Sequence, residues 1–564
     1  MIFSPTTERS FSVRSLYAAI YGFLILGAIT MIVPFVIMAT GSVEPRAQAT
    51  DGMFFPAYLV DREVLWERYL ETKYHGLDEF FRSSWNLPDA TFAEAASGDT
   101  SADESAVALW KRFLEETQPP TRLFAAGFLR PNARMPSTNA FAFREWLLAR
   151  HGSLDGINKA LDTAFPVPTQ IRPPFIRFDG APLPSTPLVR AFEEFLATLP
   201  DSRRFAWNVG GYYRTNVLPR LIGPLIEDYN SKFGTSYSSY AEVPFPSTMP
   251  AIGGEPWFFF TSQLLRPDFI ALTPSGEKRR AELGLEREDF IRSQAIPEDL
   301  RIVSADTLFA DWATSQGIAD ARIPQPQIDR ADFDSESGFW RNQFLTLNYR
   351  LVLDEILING PAIRNTLILV LLSVGGSLLI NPLAAYALSR YKMRSSFHIL
   401  LFFLATIAFP AEVTMIPVFL QLKEFNLLNT FGALVLPGLA NGFSIFLLKG
   451  FFDSLPRELY EAAELDGAGE WTMFWTVTMN LSKPILAVIA LGAFVNAYGT
   501  FFYALILAPD PKMWTIMVYV YQLRQAVDPP VVYASLLITA IPTMIIFVTC
   551  QNIILRGIVV PSEK

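Results

Sequence analysis

Few residues in this chain are spaced for bond-making chemistry. The three histidines, His75, His151 and His398, lie far apart without companion cysteines, and Cys550 is the only cysteine. Neither a zinc-ligand spacing nor a disulfide framework can be written from them. No G-x4-G-K-[ST] loop is present to cradle phosphates, and no nucleophile elbow occurs. The best-organised stretch is LKGFFDSLPRELYEAAELDGAGEWTMFWTVTMNLSKP, from Leu448 to Pro484, and its chemistry is recognition. Pro456 suits the start of a helix, Glu461, Ala462, Ala463 and Glu464 continue it, and Gly467 supplies a left-handed stop. The small Ala462 and Ala463 let such a helix seat closely in a groove of another protein. Leu465 and Phe474 are then its apolar contacts, and Glu461 and Asp466 its polar ones.

The elements that must position this loop are apolar. The chain is 51% hydrophobic and only 18% charged over 564 residues, more apolar than a soluble protein of this length. Windows of about 19 residues gather the excess into six runs: Ser15 to Thr40, Ile363 to Leu388, Phe397 to Leu422, Phe431 to Phe452, Pro484 to Leu507 and Tyr533 to Leu555. Each is long enough to cross about 30 Å of hydrocarbon as a helix. The first is too long for a signal-peptide core, although Ala47-Gln48-Ala49 resembles a cleavage site. Arg390, Lys392 and Arg394, then Lys449, Arg457 and Lys483, then Arg556 and Lys564 follow the second, fourth and sixth runs. The positive-inside rule therefore places both termini in the cytoplasm.

Prolines at 34, 382, 410, 417, 437 and 542 interrupt these runs, and Asn381, Glu412, Asn441 and Asn496 carry polar groups at membrane depth. Such features are tolerated only against protein or a water-filled cavity. Glu412, Asn441, Asn496 and Tyr498 are accordingly the candidate pathway or gate residues. The net charge of -9, with no Lys/Arg-rich stripe, excludes a nucleic-acid partner.

Residues 46–343 read as an inserted extracytoplasmic domain between 1–45 and a 344–564 core. Amphipathic stretches around Arg62 to Phe81, Glu104 to Glu116, Phe141 to Phe165, Pro187 to Leu199 and Leu221 to Phe233 make it mainly helical. Trp66, Trp110, Trp146, Trp207 and Trp257 are assigned to its core. WERYLETKYHGLD from Trp66 echoes FREWLLARHGSLD from Phe143, the pattern of a duplicated helical hairpin. The GINKALDTAF run after the second copy is locally similar to family 42 glycoside hydrolases, yet no facing carboxylate pair can be placed.

The Leu448 to Pro484 loop resembles the EAA loop of permease subunits of ABC importers: EAA, three residues, Gly, nine residues, then Ile-x-Leu-Pro. Glu461-Ala462-Ala463 and Gly467 match, whereas Val477 and Met479 replace the aliphatic pair and Asn480 stands at the proline position. NYRLVL at Asn348, AAYALSRY from Ala384, PAEVTMIPVFLQLKEFNLLNT from Pro410 and TAIPTMIIF from Thr539 are similar to the carbohydrate-uptake branch, the maltose-type second permease. The resemblance covers roughly residues 10–45 and 344–564 and implies a six-span α-helical inner-membrane bundle. It implies two ATPase partners that hold ATP and Mg, a second homologous permease, an extracytoplasmic solute-binding protein and a lipid surround, with no cofactor bound by this chain. Import of a carbohydrate by alternating access is the expected function, with Glu461, Ala462, Ala463, Leu465, Asp466, Gly467 and Phe474 as the ATPase-coupling residues. The competing readings are a membrane-anchored extracytoplasmic enzyme and a permease with a built-in ligand-binding domain.

Overall fold

Uninterrupted apolar sequence makes long helices here, and of the six prolines expected to interrupt them only Pro410 and Pro437 lie at breaks, whereas Pro34, Pro382, Pro417 and Pro542 lie inside continuous helices. The computed structural model describes residues 11–44, 55–98, 103–129, 137–165, 168–174, 177–180, 184–354, 360–391, 394–406, 410–525 and 527–556. The chain divides into two compact units, one of Met1–Ser42 with Tyr349–Lys564 and one of Val43–Asn348.

In the first unit, three helices are long and apolar enough to cross a membrane: Ser15–Gly41, Ala362–Arg390 and Pro529–Gln551. Two bent pairs add a span each if counted as one: Phe431–Gly438 with Gly442–Asp453, at 49°, and Glu470–Leu481 with Lys483–Tyr498, at 83°. The expected run Phe397 to Leu422 comes as two helices, Ser396–Thr406 and Ala411–Glu424, with residues 407–409 outside the described set. The run expected to end at Leu507 stops at Tyr498, and Phe502–Leu507 forms a separate helix after Gly499. Large side chains such as Phe23 and Met31 are 77% and 75% exposed, as lipid-facing helices require.

The buried centre of this unit joins the Ala362–Arg390, Gly442–Asp453 and Lys483–Tyr498 helices through Ala385, Ile445, Leu448, Phe452, Ile485 and Ile489. Pro382 lies inside the first of these, one residue after the fully buried Asn381. Asn381 donates to the Ser377 hydroxyl at 2.9 Å and accepts from the Asn441 backbone N–H at 2.9 Å, so its polar ends are satisfied. The helix is fixed at its start as well: Asn365 donates to the Lys512 and Trp514 carbonyls, and Thr366 accepts from Ile516 N–H. The first unit also closes on itself where Ser42 Oγ and Tyr349 Oη lie 2.6 Å apart.

The second unit is built from short helices around an aromatic centre in which Trp66, Trp257 and Trp340 are wholly buried. The expected amphipathic stretches are helical, with breaks where the chain demands them. Arg62–Lys73 and Asp78–Trp85 are separated by His75 and Gly76, both at φ 62, and Leu218–Leu221 and Ile226–Phe233 flank Gly223 and Pro224. The echo noted in the sequence is structural too. Each copy is a long helix, a glycine at positive φ (Gly76 or Gly152) and an eight-residue helix, Asp78–Trp85 or Leu154–Leu161. Each long helix carries two aromatics three residues apart at an interplanar angle of 17°, Trp66 on Tyr69 and Phe143 on Trp146.

A second repetition escaped the sequence reading. Pro120, Pro200, Pro267 and Pro297 each introduce a single 3-10 turn and then a three-residue strand: β1 (Phe124–Ala126), β2 (Arg204–Ala206), β3 (Ile270–Leu272) and β4 (Leu300–Ile302). The strands pair antiparallel as β1 with β2, Ala125 opposite Phe205, and β3 with β4, Ala271 opposite Arg301. The last helix, Gln325–Leu353, is continuous. At the unit's ends, Asn348 Nδ2 donates to the Glu44 carbonyl at 2.8 Å.

Candidate functional site

The Leu448 to Pro484 loop folds as its residues dictate. Pro456 lies two residues ahead of the Glu458–Leu465 helix, with Arg457 at the N-cap. The helix ends on Gly467 at φ 81, where Gly467 N–H reaches the Glu464 carbonyl and Ala468 N–H the Ala463 carbonyl, at 3.0 and 2.9 Å. That pair of bonds is the Schellman stop, which needs a left-handed residue at this point. Glu461, Ala462 and Asp466 are exposed, Ala463 packs partly inward, and Leu465 stands 90% exposed.

Phe474 departs from its expected place. It is buried, its ring edge-on to Tyr386 at 5.3 Å, and so anchors the loop from within. Exposed Trp471 and Trp475 flank it instead. The cause is local: residues Met473–Thr478 form a π turn, wider than an α turn, which shifts the side chains that face inward. Beyond it, Lys483–Tyr498 begins at the 83° bend with Pro484 in its first turn. The chain thus places its proline after the bend rather than at Asn480.

Two residues that sequence reasoning missed tie this loop to the Ala362–Arg390 helix. Tyr386 Oη donates to Glu470 Oε2 at 2.8 Å. The Arg390 guanidinium lies 3.3 Å over the Tyr460 ring and donates to the Phe452 carbonyl at 3.2 Å. Tyr460 Oη is in turn 2.7 Å from Thr478 Oγ1. The available signal was spacing: Tyr386 and Arg390 are four apart in AAYALSRY and therefore share one helix face.

Further along the same helix, Ser373 and Ser377 line a cavity of about 360 Å³. Its other walls are the bent pair around Gly438 to Leu447 and the Val488 to Thr500 segment. Asn441 and Asn496 both line it. Asn441 Oδ1 accepts from Ser444 N–H at 2.9 Å and caps the second half of the broken helix. Tyr498 is not among the lining residues. It is buried, stacked on Phe494 at 5.6 Å, and donates to the Thr539 carbonyl at 2.5 Å, which makes it a helix-to-helix tie. Glu412 lies in the first turn of Ala411–Glu424, and its side chain lies outside the described residues.

The first unit thus combines apolar helices long enough to cross a membrane, a bent pair beside a cavity lined by serine and asparagine, and a short exposed helix tied to the same wall, the parts of a membrane transport subunit. Residues 380–559 match the model of the binding-protein-dependent transport system inner membrane component family, and the chain belongs to that family. It is a transport subunit rather than an enzyme. It is 30% identical to the diacetylchitobiose uptake system permease protein NgcG of Streptomyces coelicolor, over 34% of this chain and 66% of that protein. It is 30% identical to the sn-glycerol-3-phosphate transport system permease protein UgpE of Yersinia pestis, over 36% of this chain and 74% of that one. A solved bacterial ABC transporter involved in the import of the acidic polysaccharide alginate shares 27% identity over 36% of this chain and 78% of its own, with a TM-score of 0.33. These alignments span about a third of the chain, less than the length of its first unit.

Proposed function

We propose that this chain is one of two homologous permease subunits of an ATP-driven importer that carries a carbohydrate across the inner membrane by alternating access. Six spans with both termini in the cytoplasm put residues 46–343 outside, and a solute-binding protein delivers cargo there. The chain binds no cofactor; ATP and Mg are held by two ATPase partners that receive the Glu458–Leu465 helix. Carbohydrate cargo is supported by the family and by relatives such as the diacetylchitobiose permease. The inserted unit spends its tryptophans on its own core, which favours a docking or gating platform over an enzyme or a built-in receptor.

The observation that carries the coupling role is the Schellman stop at Gly467 with Leu465 bare beside it. A Cβ at Gly467 would meet no neighbour, so substitution acts through backbone strain, about 1–2 kcal/mol for a left-handed residue. Gly467→Val should insert normally yet lose uptake while ATP hydrolysis continues. Normal uptake would sink the assignment. Reporter fusions at Ser395 and Glu470 should read cytoplasm, and one at Asp334 the far side.

A further inference from the structure

We infer that Asn381 is the positioning residue that clasps the break of the bent Phe431–Asp453 span to the Ala362–Arg390 helix, so that movement of the Leu448 to Pro484 loop reaches the break through that helix. The inference rests on the importer reading and adds where, inside this subunit, the movement is received.

A broken span leaves backbone groups that its own residues cannot satisfy. Where the second half starts afresh after Asn441, the first N–H groups lose their partners four residues back, and hydrocarbon supplies no replacement. Asn441 covers one of them, its Oδ1 accepting from Ser444 N–H at 2.9 Å. Its own N–H is met from another helix, by Asn381 Oδ1 at 2.9 Å. Asn381 is wholly buried, and its Nδ2 donates to the Ser377 carbonyl and hydroxyl, at 3.1 and 2.9 Å. Reversing the carboxamide would set Nδ2 against the Asn441 N–H, donor on donor, so only one orientation satisfies every partner.

Two close approaches hold the break at the same place. A Cβ on Gly376 would run into Leu439, so that bare glycine is the notch in which the turn between the two halves rests. A Cβ on Gly442 would run into the Phe403 carbonyl, so the second half begins pressed against the Ser396–Thr406 helix. Leu439 and Asn441, both in the break, are thus seated on one helix.

The seat stands beside a soft point. Pro382 has no N–H to offer the Leu378 carbonyl, yet the helix runs on to Arg390, so bending is easiest one residue from the clasp. Tyr386 and Arg390 lie five and nine residues beyond Asn381, the latter about 14 Å along the axis. There the same helix meets the loop, with Tyr386 on Glu470 and Arg390 over Tyr460. One helix therefore holds the break near its middle and the loop at its end.

The test uses the full transporter, assembled with its partner subunits in lipid nanodiscs. Hydrogen–deuterium exchange is followed in peptides covering 439–447 and 458–465, without nucleotide and with a non-hydrolysable ATP analogue. Asn441 lines the cavity, so solvent reaches its amide once the bond opens. In the wild type that amide should exchange slowly and change its rate with the analogue. In Asn381→Leu it should exchange about fivefold faster, the loss expected for one hydrogen bond, and ignore the analogue while ATP hydrolysis continues. Asn381→Asp, which keeps the accepting oxygen, should restore the slow rate. Arg390→Leu leaves the clasp in place and should blunt only the response, which keeps the inference testable if Asn381→Leu does not assemble. A wild-type exchange rate in Asn381→Leu, or a full response in Arg390→Leu, would overturn the inference. A wild-type break that never responds, while partners protect 458–465, overturns it and leaves the importer reading standing. No protection of 458–465 by ATPase subunits overturns both.

Discussion

The insert buries tryptophans such as Trp66, Trp257 and Trp340, whereas the membrane unit leaves Trp471 and Trp475 bare. In the insert Trp66 stacks on Tyr69 and packs against Phe333, and Trp340 stacks on Phe128 at 4.0 Å, all of them buried. In the membrane unit Trp471, Trp475 and Phe23 lie largely exposed. The insert is held by its interior, so its weak points are buried groups and its failures are failures of stability. The membrane unit needs outside partners, lipid or protein, to cover its surface, so changes at its joints should alter work done rather than folding.

The sharpest way to break that contrast lies at Lys73, which is fully buried and 2.9 Å from Asp329. Asp329 also accepts from Tyr74 Oη, Trp85 Nε1 and Gln325 Nε2, at 2.5 to 2.7 Å. Burial alone would push the Lys73 pKa down, but Asp329, Tyr69 and Asp332 hold it well above its usual value. Lys73→Met keeps the shape and strands a buried carboxylate, a loss of about 3–5 kcal/mol. Tryptophan fluorescence should show the insert melting early while the membrane helices, followed by circular dichroism, persist. Melting of both together would erase the distinction.

A smaller effect is expected at His75. Burial holds its imidazole at about 4 against an ordinary 6.5, outweighing its bond to the Ala126 carbonyl. The folded insert therefore keeps it neutral, while the unfolded chain takes up a proton below about 6.5. Stability should be full above that value and fall by at most about 1.4 kcal/mol per pH unit down to about 4. His75→Asn, which tolerates the left-handed φ of 62, should flatten this slope in pH-dependent thermal melts.

The smallest change in stability and the clearest change in work should come at the joint. Arg390→Leu loses the Tyr460 stacking and the bond to the Phe452 carbonyl, about 2 kcal/mol together, and should lower the unfolding temperature only slightly while lowering solute carried per ATP hydrolysed. Tyr386→Phe, which loses only the bond to Glu470, should do the same more weakly. An Arg390→Leu protein with wild-type transport per ATP would show that the loop acts without the Ala362–Arg390 helix.

What could be read from the sequence follows the range of the interaction. Gly467 and the small alanines were legible because a helix stop is decided within a few residues, and the long apolar runs because composition alone demands burial or lipid. The Lys73 and Asp329 pair lies far apart in sequence and leaves no local period, as do Arg390 over Tyr460 and Tyr386 on Glu470. Strands of three residues, such as β1 and β3, are too short for alternation to register. Phe474 is expected among the contacts because of its apolar type, and that type suits equally the burial against Tyr386 that the structure gives it.

The bond from Asn348 to the Glu44 carbonyl has a meaning for ancestry. A domain whose entry and exit lie within hydrogen-bond distance of each other can be acquired, traded or lost as a single block of gene. The closure of the membrane unit at Ser42 and Tyr349 lies at the same two points of the chain. The seam of such a transfer would leave little mark on the transporter that received it.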